Sequence, residues 1–225
     1  MPKFIAVIPA RGGSKRFPGK NITSLDGRPL IAHSIRYVQK HGPDIPIYVS
    51  SDDSRIISVA RSYHARIIKR PCDLAGDHVT TAAVLRHAVE TLESEIDFDY
   101  VILLQATNPL RPTGLLTNAV TIMQTGMYDS LMTVTPSDRK LGKIIDGRFV
   151  PWNYNYGQRS QDMEPLYYEN GLLYIAHRKL LLNERFVGET MYPMIVDHPY
   201  GTVDIDTEQD LRYAEFILKT YYHHE

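Results

Sequence analysis

Apolar residues along the chain follow two alternating patterns, short unbroken runs and longer stretches in which they recur every three or four positions. Runs of the first kind predict buried strands, and stretches of the second kind predict amphipathic helices. In the first helical stretch, residues 29–41, the apolar positions fall on one face and Gly42 would end the helix. Strands are predicted at residues 4–8, 47–50, 66–68, 100–104, 130–134, 171–176 and 194–196. Helices are predicted at residues 29–41, 54–63, 80–92 and 115–123, with a last helix beginning near residue 207.

The order of these elements predicts the fold class. Strands that alternate with helices indicate an α/β protein in which helices cover both faces of a mostly parallel sheet, a three-layer Rossmann-like arrangement. A length of 225 residues is common for one α/β domain, so residues 1–225 are predicted to form a single domain. Ligands of such sheets bind at the carboxyl ends of the strands, so functional residues are expected directly after each strand.

One segment, residues 137–168, departs from this alternation. Asp146 and Gly147 stand between apolar runs, as in the turn of a β-hairpin. Residues 152–159 are polar and aromatic without a period, and the whole segment is too long for a plain connection. We therefore expect an inserted hairpin and loop that leave the sheet for a functional or oligomeric role.

The composition argues against several classes of protein. With 43% hydrophobic and 23% charged residues the chain is globular, and a net charge of -1 argues against a nucleic-acid coat or a membrane-surface protein. The single cysteine, Cys72, cannot form an intrachain disulfide and is expected to serve in packing. The apolar run at residues 4–8 is too short for a signal peptide or a membrane span. The nine histidines show no metal-ligand spacing, and His223 and His224 stand at a terminus that is expected to fray. A cytoplasmic protein without nucleic-acid or membrane partners is expected.

The first predicted strand leads into a basic loop that contains glycine, at residues 9–21. Gly12 and Gly13 allow the backbone to approach a ligand closely. The four cationic side chains of the loop are Arg11, Lys15, Arg16 and Lys20. Such a loop suits a polyphosphate, although its glycine spacing is not that of a P-loop. Glycines and lysines alone would equally fit a basic surface loop, but the complete string favours phosphate binding.

A second chemical feature lies late in the chain, at Asp204 and Asp206. Residues two apart in an extended segment point to the same side, so both carboxylates are expected to face one point. Mg²⁺ prefers such ligands together with phosphate oxygens. Alone, an acidic pair before a helix is more typical of capping, and Thr207 is the expected cap of the last helix. Combined with the basic loop, the pair favours a metal site, whereas capping is favoured for Asp52 and Asp53.

Together these motifs resemble those of the acylneuraminate cytidylyltransferases. That family comprises the CMP-sialic acid synthetases and their relatives acting on legionaminic, pseudaminic and related ulosonic acids. The resemblance begins with the string Ala-Arg-Gly-Gly-Ser-Lys at residues 10–15, followed by Pro18, Lys20 and Asn21. It continues over the whole chain through Ser51-Asp52-Asp53, Arg70-Pro71, the motif Leu-Gln-Ala-Thr-Asn-Pro-Leu-Arg at residues 104–111, Glu169-Asn170-Gly171 and Asp204-Ile205-Asp206-Thr207. No later motif is decisive alone, but their combination in this order is specific.

The resemblance implies a three-layer Rossmann-like nucleotidyltransferase that transfers CMP from CTP to the anomeric hydroxyl of a nonulosonic (sialic-type) acid and releases pyrophosphate. It implies that Asp204 and Asp206 bind one or two Mg²⁺ ions. It also implies a homodimer formed through residues 137–168, with CTP and a nine-carbon sugar acid as substrates. Because this chemistry depends on positioning and charge neutralisation, the expected catalytic residues are Arg11, Lys15, Lys20 and Asp206.

The resemblance also assigns binding roles to individual residues. The nucleotide would be bound by Arg11, Gly13, Ser14, Lys15, Lys20, Asn21, Arg70 and Thr81. Within that set Asn21 would contact the ribose and Arg70 the cytosine. The sugar acid would be bound by Gln105, Lys143, Arg159, Tyr174 and Phe186. The alternatives are a solvated arginine for Arg70 and a plain helix cap for Thr81.

The chain departs from the family pattern on the sugar side. Many relatives place an arginine before Asn-Gly, where this chain has Tyr168 and Glu169, and Ala106 and Asn108 replace the more usual Pro and Ser. These departures concern the identity of the acid more than the reaction. Three other interpretations remain open: a related nucleotidyltransferase using another NTP or a shorter ulosonic acid, a nucleotide-sugar glycosyltransferase, and a nucleotide-binding regulatory module without turnover.

Overall fold

The computed structural model describes residues 1–221. Its strands are β1 (Phe4–Pro9), β2 (Ser24–Leu25), β3 (Arg28–Pro29), β4 (Ile47–Ser51), β5 (Arg66–Lys69), β6 (Tyr100–Leu103), β7 (Ser130–Ser137), β8 (Gly142–Ile145), β9 (Arg148–Pro151), β10 (Leu166–His177) and β11 (Met191–Ile195). Its α-helices are α1 (Leu30–His41), α2 (Ser54–Ser62), α3 (Thr81–Leu92), α4 (Leu115–Gln124), α5 (Arg178–Leu182) and α6 (Glu208–Tyr221). The predicted frayed end at His223 and His224 is outside the described residues.

Seven of the strands form the central sheet, in the order β11-β7-β10-β6-β1-β4-β5. β10 runs antiparallel to both of its neighbours, and the other neighbouring strands pair in parallel. The predicted α/β class with a mostly parallel sheet is confirmed. From β1 the chain first adds β4 and β5 on one side and then returns to place β6 on the other. The loops after β1 and β6 therefore diverge, which opens a crevice at the carboxyl ends of these two strands.

The side chains of β1 alternate between the two faces of the sheet and divide the core. Phe4, Ala6 and Ile8 belong to an apolar cluster that includes α1, α2 and α4. Ile5 and Val7 belong to a second cluster that includes α3 and α5. A third cluster packs α6 against β2 and the start of α1. Helices thus cover both faces of the sheet, as the three-layer prediction requires.

Polar side chains cap the helices that begin near the crevice. The Asp53 carboxylate accepts a 2.7 Å hydrogen bond from the Arg55 amide, so the predicted capping role of Asp53 is confirmed. Thr80 Oγ1 caps α3 by accepting from the Ala83 amide at 3.1 Å. Thr81 is therefore the first helical residue, and a capping role for it is wrong. The Thr81 hydroxyl is therefore not used in capping α3.

The inserted segment begins as a continuation of two sheet strands. Ser137 at the end of β7 pairs with Leu166 at the start of β10. The predicted boundaries at residues 137 and 168 thus fall inside the sheet, and residues 138–165 are the part that leaves it. There β8 and β9 form the predicted hairpin, with φ of 50° at Asp146 and 74° at Gly147. Two positive φ angles are typical of a type I′ turn, which explains the Asp-Gly sequence.

Two further observations complete the fold. Cys72 is exposed, in a short 3-10 helix (Cys72–Ala75) that follows Pro71, so the expected packing role of this cysteine is wrong. Within residues 1–221, no helix combines the length and apolar character that crossing a membrane would require.

Candidate active site

The loop after β1 is fixed to its surroundings by its backbone. The amide of Gly12 donates to Asp52 at 3.1 Å. A Cβ atom on Gly12 would lie 2.5 Å from the Asp53 carboxylate, whereas one on Gly13 would meet nothing within 4 Å. The close approach of Asp53 therefore explains why residue 12 is glycine, but it gives no reason for glycine at residue 13. The buried amide of Asn21 donates to the Arg11 carbonyl at 2.9 Å, which holds the two ends of the loop together.

The crevice beside this loop is a cavity of about 570 Å³, called here the cationic cavity. Its cationic residues are Arg11, Lys15, Arg16, Lys20 and Arg70. The other predicted site residues that line it are Ser14, Asn21, Thr81, Gln105 and Asp206. Gly13 is not among the lining residues. Apart from Arg16, to which the resemblance assigned no role, these lining residues are nine predicted site residues, and they meet here from parts of the chain as distant as Arg11 and Asp206 because the carboxyl ends of the strands share one edge of the sheet.

Two carboxylates neutralise part of the charge in the cationic cavity. Asp77 forms ion pairs with Arg11 Nη1 at 3.0 Å and with Lys15. The hydrogen bond from Lys15 lowers the pKa of Asp77. Asp206 pairs with Lys20 Nζ at 2.7 Å; that lysine side chain is only 11% exposed. Sequence reasoning missed Asp77, since an acid in a loop before a helix carries no signal of its own.

Arg70 enters the cationic cavity from the end of β5. It is only 5% exposed, and it donates to the Ser50 carbonyl at 2.8 Å and to the Ser50 hydroxyl at 3.3 Å. Burial lowers its pKa. The alternative of a solvated arginine is therefore wrong. A guanidinium has five N–H groups, so these two bonds leave others for a ligand.

A second cavity, of about 600 Å³, adjoins the first and is called here the mixed-charge cavity. Gln105 lines both cavities, so it marks their junction. The charged and phenolic residues that line the mixed-charge cavity are Arg139, Tyr168, Glu169, Tyr174 and Asp204. This lining offers both a cation for an acid group and acceptors for hydroxyl or amide groups.

The late acidic pair divides between the two cavities. Asp206 lines the cationic cavity and Asp204 lines the mixed-charge cavity, so the expectation that both face a single point is corrected. Burial raises the pKa of Asp204, and the charge of the nearby Asp206 raises it further. Neither residue caps α6, because Thr207 and Asp210 do so through reciprocal hydrogen bonds. The capping alternative for the pair is therefore wrong.

The donor set suits a hard dication that also binds phosphate. Two neighbouring carboxylates offer oxygen ligands, and their mutual repulsion favours a cation between them. No group of three or more His, Cys, Asp or Glu side chains within residues 1–221 could hold a metal alone. Mg²⁺ commonly takes one or two carboxylates and completes its coordination with substrate phosphates and water. Asp206, which lines the cationic cavity, fits that kind of partial site, and Asp204 would complete it by turning its carboxylate from the adjoining cavity.

Of the residues predicted to bind the sugar acid, Tyr174 lines the mixed-charge cavity, and its hydroxyl donates to the Glu169 carboxylate. Burial raises the pKa of Tyr174, and the hydrogen bond to Glu169 adds to the shift. The ring of Phe186 lies 6.0 Å from that of Tyr174, but Phe186 lines neither cavity.

The two cations predicted to bind the sugar acid, Lys143 and Arg159, also line neither cavity within one chain. Lys143 is on the exposed strand β8, and Arg159 pairs with Asp162 at 2.8 Å within the inserted segment. The cation that lines the mixed-charge cavity is Arg139, which has no ion-pair partner among residues 1–221. Sequence reasoning missed Arg139, because residue 139 lies in a segment without periodicity.

A buried polar network fixes the floor of the mixed-charge cavity. β10 has a bulge between Glu169 and Tyr174, where Gly171 has a φ of 75°. The side-chain amide of Asn108, only 1% exposed, donates to the carbonyls of Asn170 at 3.2 Å and Val203 at 2.9 Å. Asn108 therefore ties the bulge to the strand-like segment that carries Asp204. Asn108 lines the mixed-charge cavity and also shapes it through the backbone that it holds.

Comparison with known proteins gives the same family from several sources. Residues 5–222 match the family model described as Cytidylyltransferase. The chain is 33% identical to the pseudaminic acid cytidylyltransferase of Campylobacter jejuni and 35% identical to the CMP-N,N'-diacetyllegionaminic acid synthase of Legionella pneumophila. Both alignments cover 96% of this chain and 97% of the relative. The solved structure of CMP:2-keto-3-deoxy-manno-octonic acid synthetase complexed with CTP matches with a TM-score of 0.70 and 18% identity, covering 97% of this chain and 99% of that one. That last likeness concerns the fold alone.

Proposed function

The chain belongs to the cytidylyltransferase family, and on that premise we propose that it transfers CMP from CTP to the anomeric hydroxyl of a nonulosonic acid and releases pyrophosphate. The observation that carries this proposal is the pair of adjoining cavities that share Gln105. One cavity is lined by cations suited to a triphosphate, and the other by mixed charges suited to a polar acid. The names of two relatives that align over nearly the whole chain support a nine-carbon, sialic-type acid.

The cations of the basic loop would bind the triphosphate. Phosphate oxygens form strong charge-assisted hydrogen bonds with Arg and Lys, so CTP would displace Asp77 from Arg11 and Lys15. Arg70 would read the cytosine with the N–H groups that Ser50 leaves free. Because Arg70 is already held by Ser50, it would lose little side-chain freedom when the base binds.

Mg²⁺ is part of the proposal, with Asp204 and Asp206 as its protein ligands. When bound, the ion would neutralise charge on the α-phosphate and on the leaving pyrophosphate. Asp206 now pairs with Lys20, so this lysine would move its charge to the phosphates as the carboxylate binds the metal. The exchange keeps charges paired in a partly buried place, where an unpaired charge is costly.

In the reaction, the anomeric oxygen forms a bond to the α-phosphorus while the bond from that phosphorus to the bridging oxygen of the β-phosphate breaks. The hydroxyl proton passes to water, and pyrophosphate leaves. The protein contributes to this reaction by positioning the substrates and neutralising charge. Gln105 lies at the junction where the two substrates would meet. Lys20, with its largely buried side chain, would stabilise developing charge more strongly than an exposed lysine can.

The charges of the mixed-charge cavity suggest how the acid is oriented. Arg139 would bind its carboxylate, since a guanidinium matches that group in a bidentate way. Glu169 would repel a carboxylate, and because an ionised carboxylate only accepts hydrogen bonds, it would face a hydroxyl or amide N–H of the sugar. The replacement of the usual arginine by Glu169 therefore changes which end of the sugar this position can bind.

A homodimer is part of the proposal. The inserted segment exposes large apolar side chains, including Ile144 at 71%, Trp152 at 63% and Tyr156 at 72%. Several large apolar side chains exposed in one segment are unusual for a surface that stays in water and are typical of interaction sites. A partner copy could also bring Lys143 or Arg159 to the mixed-charge cavity. Sedimentation at micromolar concentration tests the dimer, with Ile144→Glu expected to give monomers and a wild-type monomer arguing against it.

An assay of pyrophosphate release tests the function. Purified protein with Mg²⁺ should release pyrophosphate from CTP in the presence of a nonulosonic acid, and far more slowly from ATP, GTP or UTP. EDTA should abolish the release if the metal is required. Turnover with an eight-carbon ulosonic acid alone would point to the shorter substrate. CTP binding without turnover would point to a regulatory module, and sugar transfer from a nucleotide-sugar without pyrophosphate release to a glycosyltransferase.

A further inference from the structure

A third cavity, of about 480 Å³, lies beside α1 and is called here the α1 cavity. Residues of β3, of α1, of the loop at residues 109–113 and of α6 contribute to its lining. Its basic residues are Arg28, His33, Arg36, Lys40, His41 and Arg111. Within the described part of the chain, no carboxylate lines it. The cationic cavity, by contrast, has Asp77 and Asp206 among its lining residues.

The spacing of the basic residues on α1 concentrates positive charge. His33, Arg36 and Lys40 are separated by three and four positions, so they share one face of the helix. Like charges four apart, as at Arg36 and Lys40, destabilise a helix when nothing neutralises them. Neither of these residues, nor Arg28, has an ion-pair partner among residues 1–221. The chain therefore holds three permanent cations in one concave site without a counter-charge.

Arg111 adds a buried cation at the same site. Its guanidinium is 4% exposed and donates to three neutral oxygens, the Leu172 carbonyl at 2.6 Å, Ser34 Oγ at 3.0 Å and the Gln105 carbonyl at 2.9 Å. Its charge lies 5.8 Å from the centre of the Tyr37 ring, and no carboxylate of residues 1–221 forms a salt bridge with it. Burial lowers the pKa of Arg111 to about 10. A buried charge without a counter-ion is costly, so an anion close by would be strongly stabilised.

The pKa shifts of His33 and His41 are consistent with a positive electrostatic potential in the α1 cavity. Burial lowers the pKa of His33, the hydrogen bond with the Leu25 carbonyl opposes that shift, and the charge of Arg28 lowers the pKa again, with Asp26 acting weakly in the opposite direction. Burial lowers the pKa of His41, and the charge of Lys40 adds to the shift. Each histidine thus carries the effect of a neighbouring cation that faces the cavity.

We infer that the α1 cavity binds a small polyanion with two or more phosphate groups, separately from the proposed catalytic reaction. Three permanent surface cations above a buried fourth match the charge of a pyrophosphate or a nucleotide better than that of a single carboxylate. The concave shape, whose lining includes the buried residues Arg111 and Tyr37, favours a small molecule over a flat macromolecular surface. The site lies outside both catalytic cavities, since the lining residues of the α1 cavity are different from theirs.

Nuclear magnetic resonance of the histidine side chains tests this inference. Among residues 1–221 no histidine lines the cationic or the mixed-charge cavity, so the imidazole signals of His33 and His41 report on the α1 cavity alone. Titration of the full chain with pyrophosphate, without Mg²⁺ and at constant pH, should shift both signals saturably. Arg36→Gln should weaken the fitted affinity at least about tenfold, equivalent to about 1.4 kcal/mol for the loss of a charge-assisted contact.

Arg61→Gln is the matched control, because Arg61 is also an exposed helical arginine and its loss changes the net charge equally. It should leave the titration unchanged. CTP in place of pyrophosphate distinguishes a nucleotide from an inorganic ligand, and tighter binding of either supports the inference. Absence of any shift, equal weakening by both variants, or a response only to duplex RNA or an acidic peptide would overturn it. The assay for pyrophosphate release is independent of these outcomes.

Discussion

Replacing Gly171 by alanine should destabilise the fold and weaken binding of the sugar acid more than binding of CTP. Gly171 has a φ of 75°, and an L-residue in that region costs about 1–2 kcal/mol. The new Cβ would also lie 2.9 Å from Asn108 Oδ1 and 3.1 Å from its Nδ2. Asn108 is buried and uses both amide protons, so moving it would strain or break a buried hydrogen bond at a cost of about 1–3 kcal/mol. The sum predicts a loss of about 2–5 kcal/mol.

Gly126→Ala is the matched control. Gly126 has a φ of 73°, but a Cβ there would meet nothing within 4 Å. It should therefore show only the conformational cost of about 1–2 kcal/mol. The effect of alanine on the unfolded chain is common to both variants and cancels in their difference. Unfolding in urea measures both, and a Gly171→Ala protein that is no less stable than Gly126→Ala would refute the reasoning.

The same variant separates the two cavities. The bulge carries Tyr168 and Glu169 into the mixed-charge cavity, whereas no residue of β10 lines the cationic cavity. Gly171→Ala should therefore raise the KM for the sugar acid while leaving the Kd for CTP close to that of the wild type. Equal weakening of both would mean that the bulge supports the nucleotide side as well.

Three other predictions concern single charges near the junction of the cavities. Lys20→Met should lower kcat for pyrophosphate release by about 10²–10³, the usual cost of one preorganised charge, while Lys69→Met, which changes an exposed lysine, should not. Asp77→Asn should tighten CTP binding measured by calorimetry, since it frees the two cations that Asp77 now pairs with; weaker binding would mean that Asp77 positions them. Burial raises the pKa of Asp204, so its ionised form is disfavoured in the folded state. Asp204→Asn should therefore raise the free energy of unfolding at pH 7 and lower turnover. The gain in stability should shrink as the pH falls through the raised folded pKa, and it should vanish below the ordinary pKa of an aspartate. A gain in stability that grows at low pH would contradict this sign.

Local sequence patterns determined most of the secondary structure. The apolar run at residues 4–8 and the periodic stretch at residues 80–92 correspond to β1 and α3 within one residue at each end. Asp146 and Gly147 fixed the hairpin turn because few other residues accept two positive φ angles. The alternation of strand and helix also fixed the fold class, and therefore the edge of the sheet at which the basic loop, Arg70 and Gln105 would meet.

Tertiary structure decided which side chains share a cavity. Asp77, Arg139 and the separation of Asp204 from Asp206 follow from long-range packing, and none of them leaves a periodic trace in the sequence. The burial of Arg111 likewise depends on contacts with residues 6 to 77 positions away in the chain. A sequence specifies local backbone geometry through neighbouring residues, but the charge environment of a side chain is set by groups that only the folded sheet brings near it.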